Sequence, residues 1–192
     1  MATTDNVLRT KILKEVNEEF HQGDKLNDAL TSDILKQLVN CFYEEDKTIR
    51  ELASRAIIKV ASTKVGRDIL CSDEIIPKVK ELFNDEVVQI RANAYKVMIN
   101  VAEFTEGVDA IINFHIVPVL VDKLIQEDNQ SILILILTLL KILNEGEFAP
   151  TVIQTLDAIP RLNKHLKSSD FQIRELAALN LGSISYNNIA KE

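Results

Sequence analysis

Ile75-Ile76-Pro77-Lys78-Val79, Ile116-Val117-Pro118-Val119-Leu120 and Ala158-Ile159-Pro160-Arg161-Leu162 are three versions of one phrase, with prolines 41 and 42 positions apart. Self-similarity at a fixed period outranks any local reading, because such units bury their apolar faces only against one another. One period before Pro77 stands Lys36, inside Ile34-Leu35-Lys36-Gln37-Leu38, a first copy without its proline. The phrase marks four repeats.

Other residues keep the same phase. Past each anchor come Ile49-Arg50, Ile90-Arg91 and Ile173-Arg174, with Ser131-Ile132 at that place in the third repeat. Then follow Ala53, Ala94, Leu135 and Ala177, next Ile57, Met98, Leu139 and Leu181, and last Val60, Val101, Ile142 and Ile184. Steps of four and three residues are the buried stripe of an amphipathic helix. Asp46, Asp85, Asp128 and Asp170 precede these helices, where a carboxylate accepts orphaned backbone N–H bonds and meets the positive end of the helix dipole. Proline suits the first turn of the preceding helix, where no N–H is needed. Gly66 and Gly107 mark the turns into the next repeats.

Each unit thus reads as a short helix, a middle helix starting near the proline, and a long third helix. Three helices in about 41 residues is the armadillo/HEAT class, and the inward proline with the small residue in the long helix favours armadillo. The expected fold is all-α, an armadillo-type α-solenoid: a right-handed superhelix of about four three-helix repeats whose third helices line the concave face. The repeats fall near 33–64, 65–104, 105–145 and 146–187, within a repeat domain spanning 33–192. Residues 1–32 break the period. There Val7, Leu8, Ile12, Leu13, Val16 and Phe20, after a Thr4 or Asp5 cap, predict a capping helix over the N-terminal end.

Composition agrees. Gly 5 and Pro 4 in 192 residues, against the roughly 12% Gly plus Pro of an average protein, disfavour turn-rich sandwiches and Gly-looped nucleotide folds. With 22 Lys+Arg against 29 Asp+Glu the net charge is −7, so no nucleic-acid partner is expected, since phosphates demand a broad basic surface. Cys41 and Cys71 lack CxxC spacing, so neither a metal site nor a disulfide framework is signalled. The start of the chain has no basic-then-apolar leader pattern and no Gly after Met1. The longest apolar stretch, Ile132 to Leu143, is short of the ~20 residues of a membrane span. A soluble cytoplasmic chain with no membrane partner is expected.

Catalytic constellations are missing from the pattern. Glycines at 23, 66, 107, 146 and 182 permit neither GxxxxGK[ST] nor GxGxxG. His21, His115 and His165 fall in different repeats without an HExxH partner, and Glu44-Glu45-Asp46 sits at a turn, where caps and solvation explain it. Paired acids for proton transfer would need a cleft that raises one pKa. No catalytic residue, cofactor, metal or small-molecule substrate is expected.

The groove is the candidate site. Peptide-binding armadillo proteins carry an Asn late in the third helix and a Trp four residues earlier. By phase the Asn place holds Lys59, Asn100, Lys141 and Ser183, and the Trp place Arg55, Lys96, Leu137 and Leu179, in a chain with Trp 0. Nuclear-import cargo binding is therefore disfavoured. Arg55, Lys59, Lys96 and Lys141 would instead form a basic row suited to an acidic or amphipathic segment; the plain alternative is solvated side-chain ends over a packed stripe. The third long helix, Ile132 to Leu143, is apolar nearly all round and must be covered on most sides. Flanking repeats cover two of them, which leaves Leu133 and Leu137 facing the groove as a patch that wants a partner, unless a curled N-terminal segment buries them.

The middle of the chain resembles the radial spoke head protein 14 family. The likeness rests on Ser62-Thr63-Lys64-Val65-Gly66-Arg67, Leu82-Phe83-Asn84-Asp85 and Arg91-Ala92-Asn93-Ala94-Tyr95-Lys96, continued by Ile111-Ile112 and Leu120-Val121-Asp122-Lys123-Leu124. It covers about residues 30 to 185. The resemblance implies a non-enzymatic scaffold in the axoneme of a cilium or flagellum, held among other radial spoke subunits. The family's chains are usually much longer, so a truncated relative and a shorter paralogue both stay open. A cytosolic adaptor clasping an acidic or amphipathic peptide in the basic row is the rival.

The last long helix, from about Asp170 to Tyr186, carries one more expectation. Solenoids need a polar terminal cap, and Leu176, Leu179 and Ile184 would face outward there. They form a candidate docking surface for another chain, unless Glu175, Asn180, Ser183 and Ser185 cap the helix themselves.

Overall fold

A computed structural model describes residues 4–19, 32–72, 75–145 and 157–189. Phe20, His21 and the stretch 146–156, where the fourth repeat was expected to begin, lie outside them. Among the described residues there are eleven α-helices, two short 3-10 turns and no strand. The helices are α1 (Thr4–Glu19), α2 (Ser32–Asn40), α3 (Lys47–Ala61), α4 (Lys64–Ser72), α5 (Ile75–Glu81), α6 (Val88–Ala102), α7 (Thr105–Asn113), α8 (Ile116–Gln126), α9 (Gln130–Asn144), α10 (Ala158–His165) and α11 (Phe171–Ile189). No helix among the described residues is long and apolar enough to cross a membrane.

The expected three-helix unit is present twice in full, as α4-α5-α6 and α7-α8-α9, and its middle and long helices recur as α2-α3 and α10-α11. The long helices start where the acids are. Asp46 accepts from the Thr48 N–H at 2.8 Å, Asp85 from Val87 at 2.8 Å, and Asp170 from Gln172 at 2.8 Å and Ile173 at 3.2 Å. In the third repeat the cap is Asn129, which accepts from Ile132 at 3.2 Å, and not the expected Asp128.

The arginines found by phase clamp the turns just before their own helices. One guanidinium nitrogen of Arg50 donates to the carbonyls of Glu44 and Glu45, both at 2.9 Å. Arg174 does the same to Ser168 and Ser169 at 2.8 Å, and Arg91 to Asp85 at 2.8 Å. Arg50 also reaches Asp85 of the next repeat at 2.8 Å, which ties the two turns together.

The chain forms two compact units, Met1–Val101 and Ala102–Glu192. In the first, α3 packs against α1, α2 and α4, and Ile49, Ala53, Ile57 and Val60 are buried together with Ile90, Ala94, Met98 and Val101. Gly66 is needed for close approach: a Cβ there would stand 2.1 Å from the Val60 carbonyl oxygen. It lies in the first turn of α4, so the glycine answers to packing as well as to its place beside a turn. In α1, Leu13 and Asn17 are buried while Val7, Leu8 and Ile12 are exposed.

In the second unit α9 packs against α8 and α11, and α10 against α8 and α11. Here the expected stripe shifts. Ile132, Ile136, Leu139, Leu140 and Leu143 are buried, whereas Leu135 and Ile142 are half-buried. When nearly every position is apolar, packing and not periodicity selects the face. The turns before α8 and α10 each hold a non-glycine residue in the left-handed region, His115 at φ 54° and Asp157 at φ 58°.

Candidate functional site

Within the first unit, the basic residues of the expected groove do not stand free together. Arg55 is exposed but pairs with Glu51 one turn back, at 2.5 Å. Lys59 donates to the backbone carbonyl of Asn17, near the end of α1, and its pKa is lowered by burial and then by the Arg55 charge. Asn100 donates to the carbonyl of Ile58 at 3.3 Å. The Asn place therefore faces backward here: Lys59 and Asn100, one repeat apart, each bond a carbonyl 42 residues earlier. Lys96, between them in the sequence, is exposed.

In the second unit Lys141 pairs with Glu145 at 2.8 Å. The expectation that Leu133 and Leu137 face an open groove is corrected: they are 7% and 0% exposed. Their helix lies against α8 and α11, and the Leu137 carbonyl accepts from Asn180 of α11 at 3.0 Å. The expected groove wall is part of the seam between successive long helices. Leu176 and Ile184, expected on an outward docking surface, are likewise buried, at 9% and 1% exposed, and only Leu179 of that trio is open. The exposed residues of α11 are instead those around Phe171, Glu175, Ala178, Gly182 and Tyr186.

Buried amides hold roles that the sequence pattern does not assign, and Asn180, expected among the polar residues capping the last helix, is itself buried. Asn180 accepts from Asn144 at 2.7 Å and donates to Leu176 and Leu137. Asn93 donates to Ser54 at 2.9 Å, and Asn17 to Leu13 and Leu52 at 2.8 and 2.9 Å. The signal was available, since a polar residue amid the apolar positions of a long helix must find a partner when buried. The most specific part of the family likeness also serves packing: Tyr95 stacks on Phe83 with ring centroids 4.1 Å apart.

Two of the hollows among the described residues border these helices. One, of about 500 Å³, lies between α1 and α2 and is lined by Ile12, Leu13, Val16 and Leu38, with Cys41 and the Arg9–Glu44 ion pair at its edge. Burial, then Glu44, pushes the Cys41 thiol pKa up, with Arg9 opposing, so the thiol is a poor nucleophile. The other, of about 490 Å³, borders α11 beside the end of α9. Among the described residues no three His, Cys, Asp or Glu side chains gather as a metal site would require.

Repeated middle and long helices, capped by Asp or Asn, clamped by arginine and sealed by buried amides, define a solenoid of the armadillo class. Solved structures agree. The chain is similar to a designed armadillo repeat protein in complex with peptide (KR)4, at 15% identity and a TM-score of 0.77 over 96% of this chain and 77% of that one. It is similar to computationally designed armadillo repeat proteins for modular peptide recognition, at 18% identity and a TM-score of 0.71 over 78% of this chain and 63% of that one. It is also similar to an engineered protein, at 21% identity and a TM-score of 0.71 over 80% of this chain, which spans 63% of that protein. No protein-family model and no curated protein matches the sequence. The fold is all-α and armadillo-type.

Proposed function

We propose that this chain is a non-catalytic scaffold that holds other proteins, and that it does so as a structural subunit of a ciliary radial spoke. The observation that carries the scaffold reading is the armadillo fold, shared with designs made for modular peptide recognition. The spoke reading is supported by the Ser62–Arg67, Leu82–Asp85 and Arg91–Lys96 runs, and places the protein in the axoneme. Cilia extracted with detergent and salt test it. The protein should stay with the axoneme and co-purify with spoke components; a wholly soluble cell-body protein would reject the assignment.

A second reading, a cytosolic adaptor for an acidic or amphipathic segment, is favoured by Arg55 and Lys96. Both are exposed at matching places of successive long helices. Arg55→Glu with Lys96→Glu should then abolish capture of such a segment and leave folding intact, because neither side chain is in the core. Undiminished capture would remove this reading.

A further inference from the structure

The solvent face of α11 has a pattern that reverses onto itself. Turning the helix end for end about the point between Ala178 and Leu179 exchanges Phe171 with Tyr186, Gln172 with Ser185, and Glu175 with Gly182. All eight residues are exposed, Phe171 by 68% and Tyr186 by 74%. The rings then meet at both ends and glutamate meets glycine between, while Ala178 and Leu179, which flank the axis, each lie beside their own copy.

We propose that this face pairs with the same face of a second copy of the chain, antiparallel about a two-fold axis between Ala178 and Leu179. A patch that a two-fold rotation maps onto itself is what an isologous contact requires. A Cβ built on Gly182 would have nothing within 4 Å, which leaves room for Glu175 of the partner subunit. At the Tyr186 end the open hollow of about 490 Å³, bounded by Asn144 and Glu145, gives Phe171 of the partner subunit a place beside the tyrosine ring.

Charge permits the same arrangement. Glu175 is the only group among the eight that carries a charge at neutral pH, and Glu145, at the edge of the hollow, is paired with Lys141. The two copies of Glu175 lie seven residues apart in level, about 10 Å along the helix at 1.5 Å per residue, which exceeds the ~8 Å screening length of physiological salt. A strip of helix about 23 Å long buries less than the ~800 Å² per partner of a stable complex, so the pairing is weak and concentration-dependent.

Sedimentation equilibrium on the full chain, from about 1 µM to about 500 µM, spans the range for such a transient contact. The expected result is a monomer–dimer equilibrium. Gly182→Glu sets one acid against Glu175 at each of the two symmetric places and should weaken the dimer at least about tenfold, whereas Gly182→Lys should tighten it. Glu175→Lys combined with Gly182→Glu restores opposite charges and should return the constant to within about threefold of the parent. Because the Gly182 position is open, all variants should keep the parent's circular dichroism. A chain that stays monomeric throughout would overturn the proposal. So would open-ended oligomers, which signal head-to-tail stacking, or equal effects of glutamate and lysine at 182.

Discussion

The side-chain amide of Asn180 donates to the backbone carbonyl of Leu137, 3.0 Å away on the preceding long helix. Asn180 is wholly buried, and its amide oxygen accepts from Asn144 at 2.7 Å. The two bonds join α9 and α11 through groups that cannot reach water. Asn180→Ala should cost about 1–3 kcal/mol, because it removes the partner of a buried amide as well as the bonds themselves. Urea denaturation followed by circular dichroism checks this; a loss below about 0.5 kcal/mol would mean that the seam relies on apolar contact alone.

Leu137 separates the two accounts of the third long helix. On an exposed groove wall, Leu137→Asp would change stability by no more than about 0.5 kcal/mol. With the side chain fully buried, an unpaired carboxylate there should cost more than about 4 kcal/mol and leave the second unit unfolded. Loss of the thermal transition would confirm the burial.

Two glycines predict opposite signs. Gly66→Ala drives a Cβ to within 2.1 Å of the Val60 carbonyl oxygen, a backbone atom that cannot step aside cheaply, so the variant should be destabilised by about 1–3 kcal/mol. Gly182→Ala adds a methyl group in open space within α11 and should stabilise by about 0.5–1 kcal/mol, since glycine pays the larger conformational entropy. Melting temperatures taken at dilute, monomeric concentration should move apart in those directions.

Cys41 predicts a pH dependence. Burial and Glu44 raise its pKa, so at any pH below that value the folded chain holds less thiolate than the unfolded chain. Alkylation by iodoacetamide, read by mass spectrometry, should be slower at Cys41 in the folded protein, with its pH midpoint displaced upward. Because the raised pKa favours the thiol on folding, its contribution is fully present below the unfolded pKa and fades as pH rises through the folded one. An unshifted midpoint would show that solvent reaches the thiol freely.

The repeat, its helices and most of their ends were legible from residues alone, because those features are local. A step of four and three residues sets one face of a helix whatever lies beside it. Asp46 and Asp170 cap helices through N–H groups two or three residues on. Even the Ile-Arg pairs were visible as a period, although their role in holding turn carbonyls became clear only with the backbone in place.

Which faces meet was decided by the tertiary structure. Leu137 and Leu179 occupy the same phase of neighbouring long helices, yet one is 0% and the other 45% exposed. Lys59 and Asn100 hold the same phase of successive long helices, and which carbonyl each one binds, Asn17 of α1 or Ile58 of α3, depends on the helix that lies against it. Nothing within a helix tells a side chain whether another helix will lie against it. Periodicity supplies the angle of each residue around its own axis; burial and hydrogen bonding depend on neighbours 36 to 43 residues away, whose approach is set by the packing of whole faces.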